Sequence, residues 1–146
     1  MKTLKLLFLF LGLSFLSFGN SPTKQEQDLK CLTQAIYFEA RGESIEGKIA
    51  VANVVMNRKE KWKISSVCQV TSQKRQFGWW RYRNAKILEK DKWEEAHIIA
   101  ILVYIGDIHD ITEGAVFFHE RKIHPGWTKK MIITRQIGLH VFYALS

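Results

Sequence analysis

Glu39 is the residue with the clearest chemical promise, set in the string YFEARGE at 37–43 just ahead of the apolar run GKIAVANVVMNR. At 100° per residue, a helix places Glu39 about 20° from Leu32 and about 60° from Ile36, so its carboxyl borders an apolar face. Desolvation there disfavours the charged form and brings the pKa toward working pH, where a carboxyl can donate a proton and take it back. The plainer alternative is an ordinary helix-end residue. Glu43 shares the motif but follows Gly42, which is expected to break the helix, so Glu43 reads as support.

Other polar residues carry weaker signals. Asn53 and Asn57 lie one turn apart on an otherwise apolar helix, and buried amides need partners. They either bond each other and the backbone or support Glu39 or a ligand. Around Gly78, Phe77, Trp79, Trp80 and Tyr82 alternate with Arg75, Arg81 and Arg83. Aromatic faces stack on sugar rings and arginines reach carboxylates, so this stretch could line a sugar groove. It could equally be core aromatics with a solvated basic rim. Thr71, Gln73 and Gln76 are candidate substrate contacts, Gln76 foremost. His119 and His140 are candidates for orienting a substrate, although a lone strand histidine is more often structural.

The elements that must position these residues follow from hydrophobic period. A first helix is expected over 26–41 with Leu29, Leu32, Ile36 and Ala40 on one stripe, and a second over 46–61, apolar around most of its girth. Asp91 and Glu94 suggest a capping pair for a third helix over 92–105. Two β-rich stretches end the chain, 115–119 and 131–145, the latter divided at Gly138, with HPGW at 124–127 as a turn. Helices first and a small antiparallel sheet last is an α+β order.

The first nineteen residues read as a signal peptide, with an uncleaved anchor as the lesser alternative: a basic start, the apolar LLFLFLGLSFLSF, and small residues at 17 and 19. No cysteine follows at once, which speaks against a lipid anchor. Residues 20–146 then form a single domain. With Lys2 and Lys5 removed, the +8 of the whole chain falls to about +6, a charge drawn to anionic polymers outside the cytoplasm. Export, and the lack of an arginine-rich helix, argue against nucleic acid. The two cysteines, Cys31 and Cys68, either form a bridge worth about 4 kcal/mol in an oxidising compartment or remain separate buried thiols. Neither CxxC nor HExxH occurs, so no metal and no cofactor are expected.

Together the segments AIYFEARGE (35–43), EGKIAVANVVMNR (46–58), SSVCQVTSQKRQFGWW (65–80), DITEGAVFFH (110–119), PGW (125–127) and IGLHVFY (137–143) resemble the cell wall hydrolases of the spore-cortex-lytic type. The resemblance implies a lysozyme-like α+β domain that cuts peptidoglycan between N-acetylmuramic acid and N-acetylglucosamine, with Glu39 catalytic. It also implies lytic transglycosylation for germination-type members. Gly78 and Leu139 depart from the family pattern, which often has Ser and Asn there. Hydrolysis by the usual scheme needs a second carboxylate, for which Asp110, Glu113 and Glu120 are distant candidates. Transglycosylation needs only one. The expected partner is the glycan strand, met by a monomer with no stable membrane span in its mature form. The alternatives are a hydrolytic muramidase and a non-catalytic peptidoglycan-binding protein.

Overall fold

A computed structural model of the chain describes residues 21–73 and 76–146. The signal segment expected at 1–19 and Arg75 of the aromatic-basic stretch lie outside the described residues. Among the described residues four α-helices come first: α1 (Lys24–Ala40), α2 (Ile45–Lys61), the short α3 (Val67–Thr71) and α4 (Lys90–Tyr104). Strands β1 (Phe117–Glu120), β2 (Met131–Ile137) and β3 (His140–Leu145) follow, with 3₁₀ turns at Gly78–Tyr82 and Gly126–Lys130. This is the α+β order that the sequence predicts.

Helix α1 begins two residues earlier than its apolar stripe suggests, because Thr23 and Glu26 form a capping box. The Thr23 hydroxyl accepts from the Glu26 N–H at 3.2 Å, and the Glu26 carboxylate accepts from the Thr23 N–H at 2.7 Å. Two N–H groups that the helix cannot bond internally are thereby satisfied. Ser44 caps α2 through the Gly47 N–H at 3.2 Å. The expected cap of α4 by Asp91 and Glu94 is absent. The helix starts at Lys90 after Glu89, which makes no side-chain cap bond, and Asp91 instead lies in the first turn, where its charge suits the helix dipole.

Helix α2 is the central element, as its all-round apolarity implies: Ala50, Val51, Ala52, Val54 and Val55 are fully buried. One face packs with Leu32, Ala35 and Ile36 of α1, Val67 and Val70 of α3, and Ala96 and Ala100 of α4. Its other face carries Ala50 and Val54 against Ala115, Ile137 and Phe142, joining the helices to the sheet. The Cys31–Cys68 bridge forms, tying α1 to α3 across Cα atoms 5.2 Å apart. Beside it the Cys68 N–H donates to Asp28 Oδ1 at 3.3 Å.

The sheet is antiparallel with strand order β1-β3-β2. Phe117 pairs with Tyr143 and His119 with Val141 on one side of β3. On the other side Ile137 pairs with His140, and the register slips between Ile133 and Arg135. Gly138, with φ +56°, makes the β2–β3 turn, a conformation that a side chain disfavours. The PGW segment forms the lead into the 3₁₀ turn rather than a bare turn, with the Thr128 hydroxyl donating to the Pro125 carbonyl at 2.8 Å.

Candidate active site

Glu39 lies in the last turn of α1, half-buried, and its carboxyl has no hydrogen-bond partner among the described residues. Burial pushes its pKa up to about 7, and the positive charge of Arg58 opposes that rise without cancelling it. A carboxyl in this state holds a proton near neutrality and can also release it. The helical wheel placed Glu39 at the edge of the core, and there it stands.

Arg58, near the end of α2, is the charged neighbour that sequence reasoning missed. It is buried, and desolvation lowers its pKa to about 10 while Glu39 pulls it back up. Its Nε donates to the Val116 carbonyl at 2.6 Å. Its guanidinium carbon lies 5.0 Å from the Phe77 ring centre and 5.4 Å from that of Phe117, favourable cation–π distances. Arg58 Nη1 is buried without an acceptor among the described residues. The arginine therefore stays charged at neutral pH with part of its hydrogen-bonding capacity unused.

Arg58 also lines a cleft of about 400 Å³ with Gln76, Phe117, Phe118, Trp127 and Met131. Helix α2, the loop before the first 3₁₀ turn, strand β1 and the second 3₁₀ turn thus meet there. The aromatic wall is continuous: Phe117 and Trp127 rings lie 5.5 Å apart, and Trp127 meets His119 at 5.7 Å and Tyr143 at 5.4 Å. Trp127 is 38% exposed, so a ligand can reach it.

The other candidates divide between cleft and core. Gln76 is exposed and belongs to the cleft. Gln73 is half-buried, and its carbonyl accepts the Gln76 N–H at 3.2 Å, which shapes the turn carrying Gln76. Thr71 is fully buried and its hydroxyl donates to the Cys68 carbonyl at 3.2 Å, which leaves its side chain no surface for a ligand. Phe77 and Trp79 belong to the helical core, with Trp79 stacked on Phe38 at 5.3 Å. Of the aromatic-basic stretch, then, these two rings took the core alternative. His119 bonds the Tyr143 hydroxyl through Nε2 at 2.8 Å and the Glu120 carbonyl through Nδ1 at 2.6 Å. His140 is buried edge-on to Phe118 at 5.1 Å, and burial lowers its pKa.

Asn53 and Asn57 bond neither each other nor Glu39. Asn53 Oδ1 accepts from the Ile111 N–H at 3.2 Å. Asn57 Nδ2 donates to Asp110 Oδ2 at 3.0 Å and to the Ala115 carbonyl at 3.0 Å. Both amides hold the 110–115 loop against α2, and that loop leads into Val116 and β1. Glu43 reaches the sheet, accepting the Leu139 N–H at 3.1 Å. Among the described residues no group of three His, Cys, Asp or Glu side chains is placed to hold a metal ion.

The comparisons with known proteins agree on one relationship. The family model described as Cell Wall Hydrolase matches residues 42–143, a span that begins three residues after Glu39. A spore cortex-lytic enzyme of Oceanobacillus iheyensis is 30% identical over 119 residues, covering 80% of this chain and 41% of that protein. The chain thus spans less than half the length of this curated relative. Among solved structures, the catalytic domain of the germination-specific lytic transglycosylase SleB from Bacillus anthracis superposes with a TM-score of 0.67 at 24% identity. That match covers 87% of this chain and 98% of the other. The catalytic domain of the Bacillus cereus SleB protein gives 0.67 at 23% identity, covering 86% and 100%. These structures share the α+β fold with this chain, and the extent of the family match carries the conclusion that the chain belongs to the cell wall hydrolase family.

Proposed function

We propose that this protein cuts the glycan strand of peptidoglycan between N-acetylmuramic acid and N-acetylglucosamine, acting as a lytic transglycosylase with Glu39 as its acid and base. The observation that carries the reading is the Glu39 carboxyl, half-buried, with its pKa raised to about 7 by desolvation. In its protonated form it gives its proton to the glycosidic oxygen as the bond to C1 breaks. The C6 hydroxyl of the same muramic residue then bonds to C1 and surrenders its proton to the Glu39 carboxylate. The products are a free sugar hydroxyl and a 1,6-anhydro muramic end, and the acid is restored.

The fates of Glu43, Asp110 and Glu113 favour this one-acid route over hydrolysis, while Glu120 is exposed and its carboxylate makes no hydrogen bond or ion pair among the described residues. Glu43 is occupied by the Leu139 N–H. Asp110 accepts from Thr112, Gly114 and Asn57, and those bonds outweigh desolvation to lower its pKa. Glu113 pairs with Arg135 at 3.3 Å. In this reading residues 1–19 direct export and are removed, and 20–146 act outside the cytoplasm as one monomeric catalytic domain. No helix among the described residues is long and apolar enough to cross a membrane. Gln76 and the cleft aromatics Phe117 and Trp127 then hold the sugar chain, with His119 and His140 behind them shaping the sheet wall.

Mass analysis of fragments released from purified sacculi tests the proposal. Anhydro-muramic ends are expected, whereas reducing muramic ends would identify a muramidase. Sacculus binding with no released fragment would identify a binding protein. Because the acid must enter the reaction protonated, kcat/KM is expected to fall as pH rises through about 7. A rate that climbs steadily from pH 6 to 9 contradicts Glu39 as the proton donor.

A further inference from the structure

The Arg58 cleft has a composition that selects its occupant. A cationic side chain that is 3% exposed keeps a buried Nη1 without an acceptor among the described residues, while its Nε is taken by the Val116 carbonyl. Leaving a charged donor unpaired in the interior costs more than leaving a neutral one. Phe77 and Phe117 lie close to the guanidinium, at 5.0 and 5.4 Å, and the side chain contributes to the cleft wall. The remaining walls among the described residues are Phe117, Phe118, Trp127 and Met131, with Gln76 as the other polar side chain. A volume of about 400 Å³ admits a sugar unit, within the range of small-ligand clefts.

We propose that this cleft is an acetamido-recognition subsite, in which Arg58 donates through its guanidinium edge to the carbonyl oxygen of a sugar's N-acetyl group. The occupant follows from the lining. A carbonyl oxygen gives the orphaned donor an acceptor without bringing a second negative charge toward Glu39, with which Arg58 already interacts. A carboxylate or phosphate would bring that charge and, among the described residues, would find no second cation in the lining. The acetyl methyl group packs against the aromatic and Met131 walls. Gln76 can accept the amide N–H with its side-chain oxygen. The Arg58 fork is planar, and a lysine ammonium on a flexible stem would not reproduce its fixed edge. Arg58 thereby becomes a specificity-determining residue, which deepens the glycan-cleaving role proposed above and rests on it for the identity of the polymer.

The test separates binding from cutting. Titration of the protein with a chitin tetrasaccharide, followed by tryptophan fluorescence, is compared with titration by the fully N-deacetylated tetrasaccharide at high ionic strength. The acetylated ligand is expected to bind about 10- to 100-fold more tightly, the range for one hydrogen bond to a charged group. In Arg58→Lys that preference should shrink to a few-fold. Gln76→Ala, at an exposed position that should not disturb folding, is expected to reduce it partially and keeps the test decisive if Arg58→Lys is poorly folded. Equal binding of both ligands by the wild-type protein, binding of neither, or an unchanged preference in both variants overturns the subsite. A protein that keeps the acetyl preference yet releases no fragments from sacculi would fail the cleavage proposal and leave the subsite standing.

Discussion

Glu39 and Glu43 belong to one short motif and end up in opposite kinds of surroundings. Glu39 faces α2, half-buried beside Arg58, and accepts no hydrogen bond among the described residues. Glu43 faces the β2–β3 turn, where its carboxylate accepts the Leu139 N–H and lies against Gly138 and Gly47. An oxygen already bonded to a backbone N–H is committed to holding structure. One that is desolvated and unbonded keeps its proton within reach of neutral pH and is free to trade it. The difference between the two regions teaches that proximity in a motif does not confer a shared role; the element each side chain meets decides.

The comparison breaks first on activity. Glu39→Gln should cut fragment release by about 100- to 10,000-fold, the range for a general acid, while sacculus binding persists. Glu43→Gln should keep most of the activity at a temperature where the variant is folded. Equal losses from both substitutions would erase the distinction.

The next largest effect is on stability against pH. The folded-state pKa of Glu39 is raised above its ordinary value of 4.5 to about 7. Ionisation therefore opposes folding. The penalty is absent below about pH 4.5, grows from there to about pH 7, and is constant above. The gain in stability from Glu39→Gln should thus be larger at pH 8 than at pH 4.5 by at most about 3 kcal/mol. Urea unfolding at the two values measures it, and a pH-independent difference would mean that Glu39 is better hydrated than its burial indicates.

Gly138→Ala gives a smaller effect on the other region. Its φ of +56° is strained for alanine, and the added methyl would collide with the Glu43 carboxylate. A loss of about 1–3 kcal/mol is expected, read as a drop in thermal midpoint. Combining it with Glu43→Ala should recover part of that loss, since one of the two causes is removed. Strict additivity in this double-mutant cycle would show that Glu43 does not press on the turn.

Much of this arrangement was legible in the sequence, and the misses have physical reasons. The apolar girth of α2 announced a central helix, and the wheel position of Glu39 announced a carboxyl at the core edge. The start of α1 was also written in the chain, as the T-x-x-E of Thr23 and Glu26, but hydrophobic period alone does not register a cap. Asp91 and Glu94 carried a similar pattern that the backbone did not use. Arg58 was hidden by company. In NRKEK it reads as one cation of a solvated helix end, with Lys59 and Lys61 nearby. Phe77 and Phe117, contributed by distant segments, come close to it only in the folded chain. One signal was available: Arg58 falls seven residues after Val51 and four after Val54, on the apolar stripe. The two asparagines were seen as needing partners, but a loop some fifty residues away supplied them, a pairing that no local pattern encodes.

The hook of Glu43 into the hairpin also bears on where this protein tolerates change. A hairpin tip is ordinarily the natural place to add a tag or lengthen a loop. Here Leu139 is 60% exposed and looks available. Its N–H is held by Glu43, its carbonyl accepts the Arg121 N–H at 2.8 Å, and its neighbour Gly138, at φ +56°, lies against the Glu43 carboxylate. An insertion there would pull on the end of α1, a few residues from the proton-bearing carboxyl. The exposed stretch 84–86 ahead of α4 carries no such tether from its side chains among the described residues and is the better place to attach a label.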